Sequence, residues 1–399
     1  MQDQPSASER ILRIATILLI GLFFAAIVQF ALLLPAVGAG GVLVDFDAFY
    51  IVGQLFAEGR VAQAYSSAVM AEIQQALVGH GGFMPWTYPP QFDLIALTLP
   101  ILPRGLAYGV FTAVTLTGYL LVLSRLAGPR LFWVLIALAP PIYVTVTIGQ
   151  NAFLTGALMG WFCLASLRAR ATAGWPLGLL VIKPHLGLGL GIYALASLQW
   201  RVLALAMGIV LASSALATVV LGADIWAAFL GGAAQAGDAL RTEFYPLFRM
   251  TSIYAALNSL GASATVALWA QIALGLAACL AIAVAVRRGL PARQTLAMAC
   301  FTSALVSPYL YDYDMVVTGI GLALIAGDIF VRSAIYERFL LLALVWVVGG
   351  WGMIHALASA GLAWEQRAAN ARETLSYGAF AYILVLLLVW RILRRPAAV

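Results

Sequence analysis

Long apolar runs separated by short polar turns dominate the chain from end to end. Runs of this length fit helices crossing a hydrocarbon core of roughly 30 Å at about 1.5 Å per residue. Spans are predicted at Ile11 to Leu34, Gly105 to Ser124, Leu131 to Ile148, Ala152 to Leu167, Val202 to Leu221, Ala264 to Val286, Gln294 to Val306, Met315 to Val331, Phe339 to Ala360 and Ser376 to Trp390. A broken pair of segments lies around Lys183-Pro184-His185. The stretch Gln91 to Leu102 is short and bounded by prolines, so it reads as re-entrant or interfacial, with a short true span as the alternative. The expected fold is an all-α polytopic membrane protein, a bundle of about 11–12 transmembrane or re-entrant helices in one integral membrane domain, 1–399.

Polar residues collect in three loops on one side of this bundle. The first, 36–90, carries Asp45, Asp47, Glu58, Glu72 and His80, with Ala68 to Leu77 patterned as a short helix lying on the membrane surface. The second is 222–263 and the third 361–375.

Composition narrows the class further. Hydrophobic residues make up 63% of the chain and charged residues 10%, far from the range of soluble domains. A net charge of +6 would suggest a nucleic-acid partner in a soluble protein. Here the arginines sit in short loops and report orientation: with both termini cytoplasmic, most of them fall inside. A cleaved signal peptide is the competing reading of the N-terminus, but its apolar stretch is too long. Cys163, Cys279 and Cys300 lie in apolar runs without paired or metal-type spacing, and three scattered histidines form no metal cluster; no metal or cofactor is expected.

Four segments carry the candidate chemistry. Val44-Asp45-Phe46-Asp47 follows the first span, and a carboxylate held beside an acceptor hydroxyl can act as general base. The plainer reading is a helix cap for a helix beginning near Ala48, favoured for Asp47 and left open for Asp45. Pro85-Trp86-Thr87-Tyr88-Pro89-Pro90 combines interfacial aromatics with prolines that fix an extended path, which fits anchoring at the membrane boundary. Lys183 is the only lysine in the chain, set in an apolar hairpin; a cation there either faces a phosphate, with His185 as a further donor, or snorkels from a helix end. Ser307-Pro308-Tyr309-Leu310-Tyr311-Asp312-Tyr313-Asp314 returns acids and phenols to the loop side, where Gly149-Gln150-Asn151 forms a similar polar turn.

In order, Asp45-Phe46 with Phe49-Tyr50, Tyr88-Pro89-Pro90, Gly149-Gln150-Asn151, Lys183-Pro184 and Ser307-Pro308 resemble glycosyltransferase family 87, membrane mannosyltransferases of the GT-C class that use polyprenyl-phosphate-linked sugars. The resemblance spans about Asp45 to Asp314. It implies transfer of a sugar, typically mannose, from a polyprenyl-phosphate donor to a lipid or glycan acceptor on the non-cytoplasmic face of a bacterial inner membrane, without metal or nucleotide. It also implies Asp45 as the catalytic acid, acting as general base. Asp47, Tyr88, Gln150, Asn151, Lys183, His185, Tyr313 and Asp314 are the expected substrate-binding residues. Where some members carry a histidine pair after the Ser-Pro turn, this chain has Tyr313 and Asp314. The rival class is a transporter or flippase of a lipid-linked substrate, which a broken helix at Lys183-Pro184 would also serve.

Overall fold

The computed structural model describes residues 6–79, 84–241, 245–359 and 361–396. His80 of the first loop and Glu243 of the second lie outside the described residues. The chain is all-α, and the described residues hold no β-strand, only an isolated bridge between Met250 and Tyr311.

The first helix, Ala7–Leu33, starts at a capping box in which Ser6 accepts the Glu9 amide and the Glu9 carboxylate accepts the Ser6 amide. Its 27 residues extend about 40 Å. Only Phe23 and Ile27 are buried, while Ile11, Ile17, Leu18 and Leu22 stand outward in a continuous apolar face that suits lipid and not water. Among the described residues, six helical stretches are long and apolar enough to cross a membrane, including Arg104–Ala137, Trp200–Leu221, Ala264–Arg287, Asp312–Arg332 and Ile335–Ala358. Shorter apolar helices fill the interior between them.

Prolines explain where the interior pieces break. The expected span Leu131 to Ile148 is two helices, Leu131–Ala137 and Ala139–Ile148, divided ahead of Pro140 and Pro141. Lys183 adopts an extended φ of −146° because it precedes Pro184, which opens the helix Pro184–Ala196 at its first position. Residues 91–102 do not form a span. They make the seven-residue helix Pro90–Ala96 and a short turn at Leu99–Ile101, about 10 Å of helix where 30 Å is needed. This helix is tucked beneath Asp45–Ala57: a Cβ at Gly53 would lie 2.5 Å from the Ala96 carbonyl, so only glycine allows that approach. The predicted surface helix appears as Ser67–Val78, capped by the Ser66 hydroxyl.

Charges sort to opposite ends of the bundle. At one end of Asp312–Arg332 lie the acids and aromatics of the polar loops. At the other end, the Arg130 and Arg338 guanidinium groups cover Phe330, Arg332 pairs with Asp328, and Arg395 grips Glu337 at 2.6 and 2.8 Å. Between the ends, Cys163 and Cys300 meet as free, buried thiols with their sulfurs 3.7 Å apart, a contact that a separation of 137 residues hides from sequence inspection.

Candidate active site

The loop-side helix ends converge on one cluster of charges and phenols. Asp45 opens the helix Asp45–Ala57 and is half-buried. Opposite it, the helix Ala139–Ile148 ends at Gly149, whose φ of +68° turns the chain sharply. A side chain at that glycine would strike Phe46 Cβ at 2.6 Å, so the left-handed turn and the close approach both require glycine. The turn delivers Gln150, whose Nε2 donates to Asp45 Oδ2 at 2.9 Å and whose Oε1 accepts from the Tyr88 hydroxyl and the Asn151 amide, each at 2.9 Å.

Tyr88 is shared by both halves of the site. Lys183 Nζ lies 6.0 Å from its ring centroid and 5.2 Å from that of Tyr313, and donates to Asp314 Oδ1 at 2.6 Å. Beside this pair, Arg249 grips Asp312 through two hydrogen bonds of 3.1 and 2.9 Å. Its guanidinium also lies 5.7 and 5.9 Å from the rings of Tyr311 and Tyr313, which stack almost parallel with centroids 5.3 Å apart. The tyrosine strip is pinned from below: the Thr251 amide donates to the Leu310 carbonyl at 2.7 Å and the Ser252 hydroxyl to the Pro308 carbonyl at 2.7 Å.

Burial pushes the Asp45 carboxyl above the ordinary carboxylate range; Arg249, Gln150 and Lys183 pull it back only in part, and Asp312 adds to the rise. A carboxylate made more basic in this way, and left partly open to a ligand, is suited to taking a proton. The two cations supply positive charge in the same cluster.

The expected residues divide accordingly. Asp45, Tyr88, Gln150, Lys183, Tyr313 and Asp314 come together. Asn151 is fully buried at the start of Ala152–Ser166 with its carboxamide unpaired among the described residues, and the Nε2 of His185 is likewise buried without a partner. Asp47 serves the scaffold: Oδ2 accepts the Val44 amide at 2.9 Å and Oδ1 accepts from Arg104 Nε at 2.7 Å, both side chains almost fully buried. The helix is capped at Val44 and starts at Asp45, three residues earlier than its apolar pattern suggests, which places Asp47 in its first turn. The expected substrate-binding residues leave out Arg249 and Asp312. The alternation Asp312-Tyr313-Asp314 was the available signal, since two acids so close together in an apolar chain each call for a cation.

Comparison with known proteins covers part of this cluster, leaving Asp45 and Tyr311 to Asp314 outside the matched segment. The model of glycosyltransferase family 87 matches residues 86–308, more than half of the chain, from Trp86 beside Tyr88 through Gln150, Lys183 and Arg249 to Pro308. No curated protein and no solved structure matches the chain.

Proposed function

Given that the chain belongs to glycosyltransferase family 87, we propose that it transfers a hexose, mannose, from a polyprenyl-phosphate donor to a hydroxyl of a lipid or glycan acceptor on the non-cytoplasmic face of a bacterial inner membrane, as a GT-C enzyme. The observation that carries this reading is the joining of Asp45 through Gln150 to Tyr88, within the cluster that also holds Lys183 and Arg249.

In the reaction, the acceptor oxygen attacks the sugar's anomeric carbon as its proton passes to Asp45. The bond from that carbon to the phosphate oxygen breaks, and polyprenyl phosphate leaves with the electron pair. Lys183 and Arg249 meet the charge that develops on the leaving phosphate, a task that a metal ion performs in other transferases. Because both cations begin paired with Asp314 and Asp312, the phosphate joins existing ion pairs and shares their hydrogens. Tyr311 and Tyr313 offer a stacked platform for a sugar face.

Membership of a glycosyltransferase family favours the enzyme over a flippase. The test is an assay of purified protein with polyprenyl-phosphate-mannose and a panel of lipid acceptors, read by mass spectrometry of the products. Mannosylated acceptor is expected, and its yield should survive chelation of divalent metals. Transport of the intact donor without any transfer would overturn the proposal. The orientation is checked separately: cysteines placed at the exposed Asp224 and Arg288 should label from outside and from inside, respectively.

A further inference from the structure

Behind Tyr88 lies a second carboxylic acid that the reaction does not use. Asp93, on the short helix Pro90–Ala96, is 1% exposed. Its Oδ1 accepts from Trp86 Nε1 at 2.9 Å, and its Oδ2 lies 2.9 Å from the Tyr65 hydroxyl. Tyr65 is the titratable group that faces it. No charged side chain among the described residues neutralises it, unlike Asp47, Asp312 and Asp314, each of which has its own cation.

The hydrogen count is decisive. The Tyr65 hydroxyl stands 2.9 Å from Asp93 Oδ2 and 2.8 Å from the Tyr88 carbonyl, two acceptors for a single hydrogen if Asp93 is ionised. A proton on Asp93 resolves this: Oδ2–H donates to Tyr65, and Tyr65 donates onward to the Tyr88 carbonyl. We propose that Asp93 works as a protonated acid and is a positioning residue, fixing through Tyr65 the peptide of Tyr88 and so the Tyr88-Gln150-Asp45 chain of the active site. The relevance to catalysis rests on the transferase reading above; the protonation itself does not.

Burial drives this choice of state, pushing the Asp93 carboxyl up to about 8, while the hydrogen bonds from Tyr65 and Trp86 only moderate the rise. Above that range the ionised group claims the Tyr65 hydrogen, and the Tyr88 carbonyl loses its buried donor. Transfer should therefore decline on the alkaline side, approaching about tenfold in kcat for each pH unit beyond the transition if only the protonated form is competent. The linkage has a definite sign. A carboxyl whose folded value is raised binds its proton more tightly when folded, so its contribution to stability falls as pH climbs from the ordinary carboxylate range toward 8 and levels off above it.

Asp93→Asn copies the protonated acid, since Nδ2 can donate to Tyr65 while Oδ1 accepts from Trp86. Purified wild type and variant are compared by unfolding temperature from about pH 6 to 9, a measurement independent of any sugar transfer, and by kcat and donor KM over the same range. The wild type should lose stability with rising pH more steeply than Asp93→Asn. The variant should also keep its near-neutral kcat and donor KM while losing the alkaline decline. Equal stability slopes would overturn the protonated state whatever the enzyme does, and an inactive but folded variant at neutral pH would overturn the positioning role. If Asp93→Asn does not accumulate, the infrared difference spectrum between acid and alkaline pH decides the matter, recorded in the Asp45→Asn background to silence that carboxyl. Loss of a protonated carboxyl band on raising the pH is expected, and its absence overturns the proposal.

Discussion

Gln150 holds Asp45 by a single 2.9 Å hydrogen bond from Nε2 to Oδ2, across 105 positions of sequence. The same side chain accepts from Tyr88, so the orientation of the carboxylate is tied to the aromatic wall against which Lys183 lies. A base must be aimed as well as basic, because the acceptor hydroxyl has to come within hydrogen-bond reach of one particular oxygen. In the proposed mechanism Oδ1, which takes no hydrogen bond from Gln150, is the freer of the two oxygens to meet an acceptor.

Asp45→Asn should lower kcat by about 10²- to 10⁴-fold while donor binding and folding persist, since the amide keeps size and shape but cannot take the proton. The pH profile follows from the raised carboxyl. Activity should rise with pH through a transition above the ordinary carboxylate range, because the base works only when ionised. A variant retaining wild-type kcat would remove Asp45 from the chemistry, as would a wild-type profile flat on the acid side.

Gly149→Ala adds one carbon at the tightest point of the turn. A left-handed backbone costs a non-glycine residue about 1–2 kcal/mol, and crowding against Phe46 and Tyr108 adds roughly 1–3 kcal/mol. Relief of that strain moves Phe46, the neighbour of Asp45, or displaces Gln150. A lower unfolding temperature together with a fall in kcat is expected, measured by thermal unfolding and initial rates; unchanged values in both would show that the turn absorbs the methyl group.

Much of the fold was legible because hydrocarbon imposes a simple rule: backbone polar groups must be satisfied within the helix, so span length and apolarity reveal the elements. The break at Pro184 was legible from local chemistry, whereas the run Leu131 to Ile148 reads as one span and hides its division ahead of Pro140. The pairing of side chains was less accessible. Lys183 and Asp314 were each visible as costly groups in an apolar chain, but that each is the other's partner across 131 positions is a fact of packing. The same holds for Arg249 with Asp312 and for the Cys163 and Cys300 thiols. Asp47 looked like the capping residue; the cap is Val44, and Asp47 reaches back to its amide from the first turn of the helix, while its bond to Arg104 depends on where the helix Arg104–Ala127 begins relative to Asp45–Ala57, which no local pattern specifies.

That bond separates the two neighbouring acids experimentally. Asp47→Asn strips the buried Arg104 of its counter-charge, and breaking one side of a buried ion pair typically costs about 3–5 kcal/mol. The expected result is a marked loss of thermal stability or of folded yield, with kcat per folded molecule retained. Asp45→Asn should show the reverse pattern. A folded, stable Asp47→Asn protein without activity would move Asp47 into the site.

Lys183 is harder to test, because the single substitution Lys183→Gln strands Asp314, which is 1% exposed, and instability would mask a binding effect. Removing both charges together avoids this. Lys183→Gln with Asp314→Asn leaves a neutral, hydrogen-bonded pair of similar size, so folding should recover relative to the single variant. If Lys183 meets the donor phosphate, the double variant still shows a raised donor KM with acceptor KM unchanged, and Asp314→Asn alone, which frees the cation, does not. Arg249→Lys serves as the companion: it keeps the charge but gives up the two-pronged grip on Asp312. A double variant with wild-type donor KM, alongside a raised KM in Arg249→Lys, would shift phosphate recognition from Lys183 to Arg249 and leave Lys183 as the structural partner of Asp314.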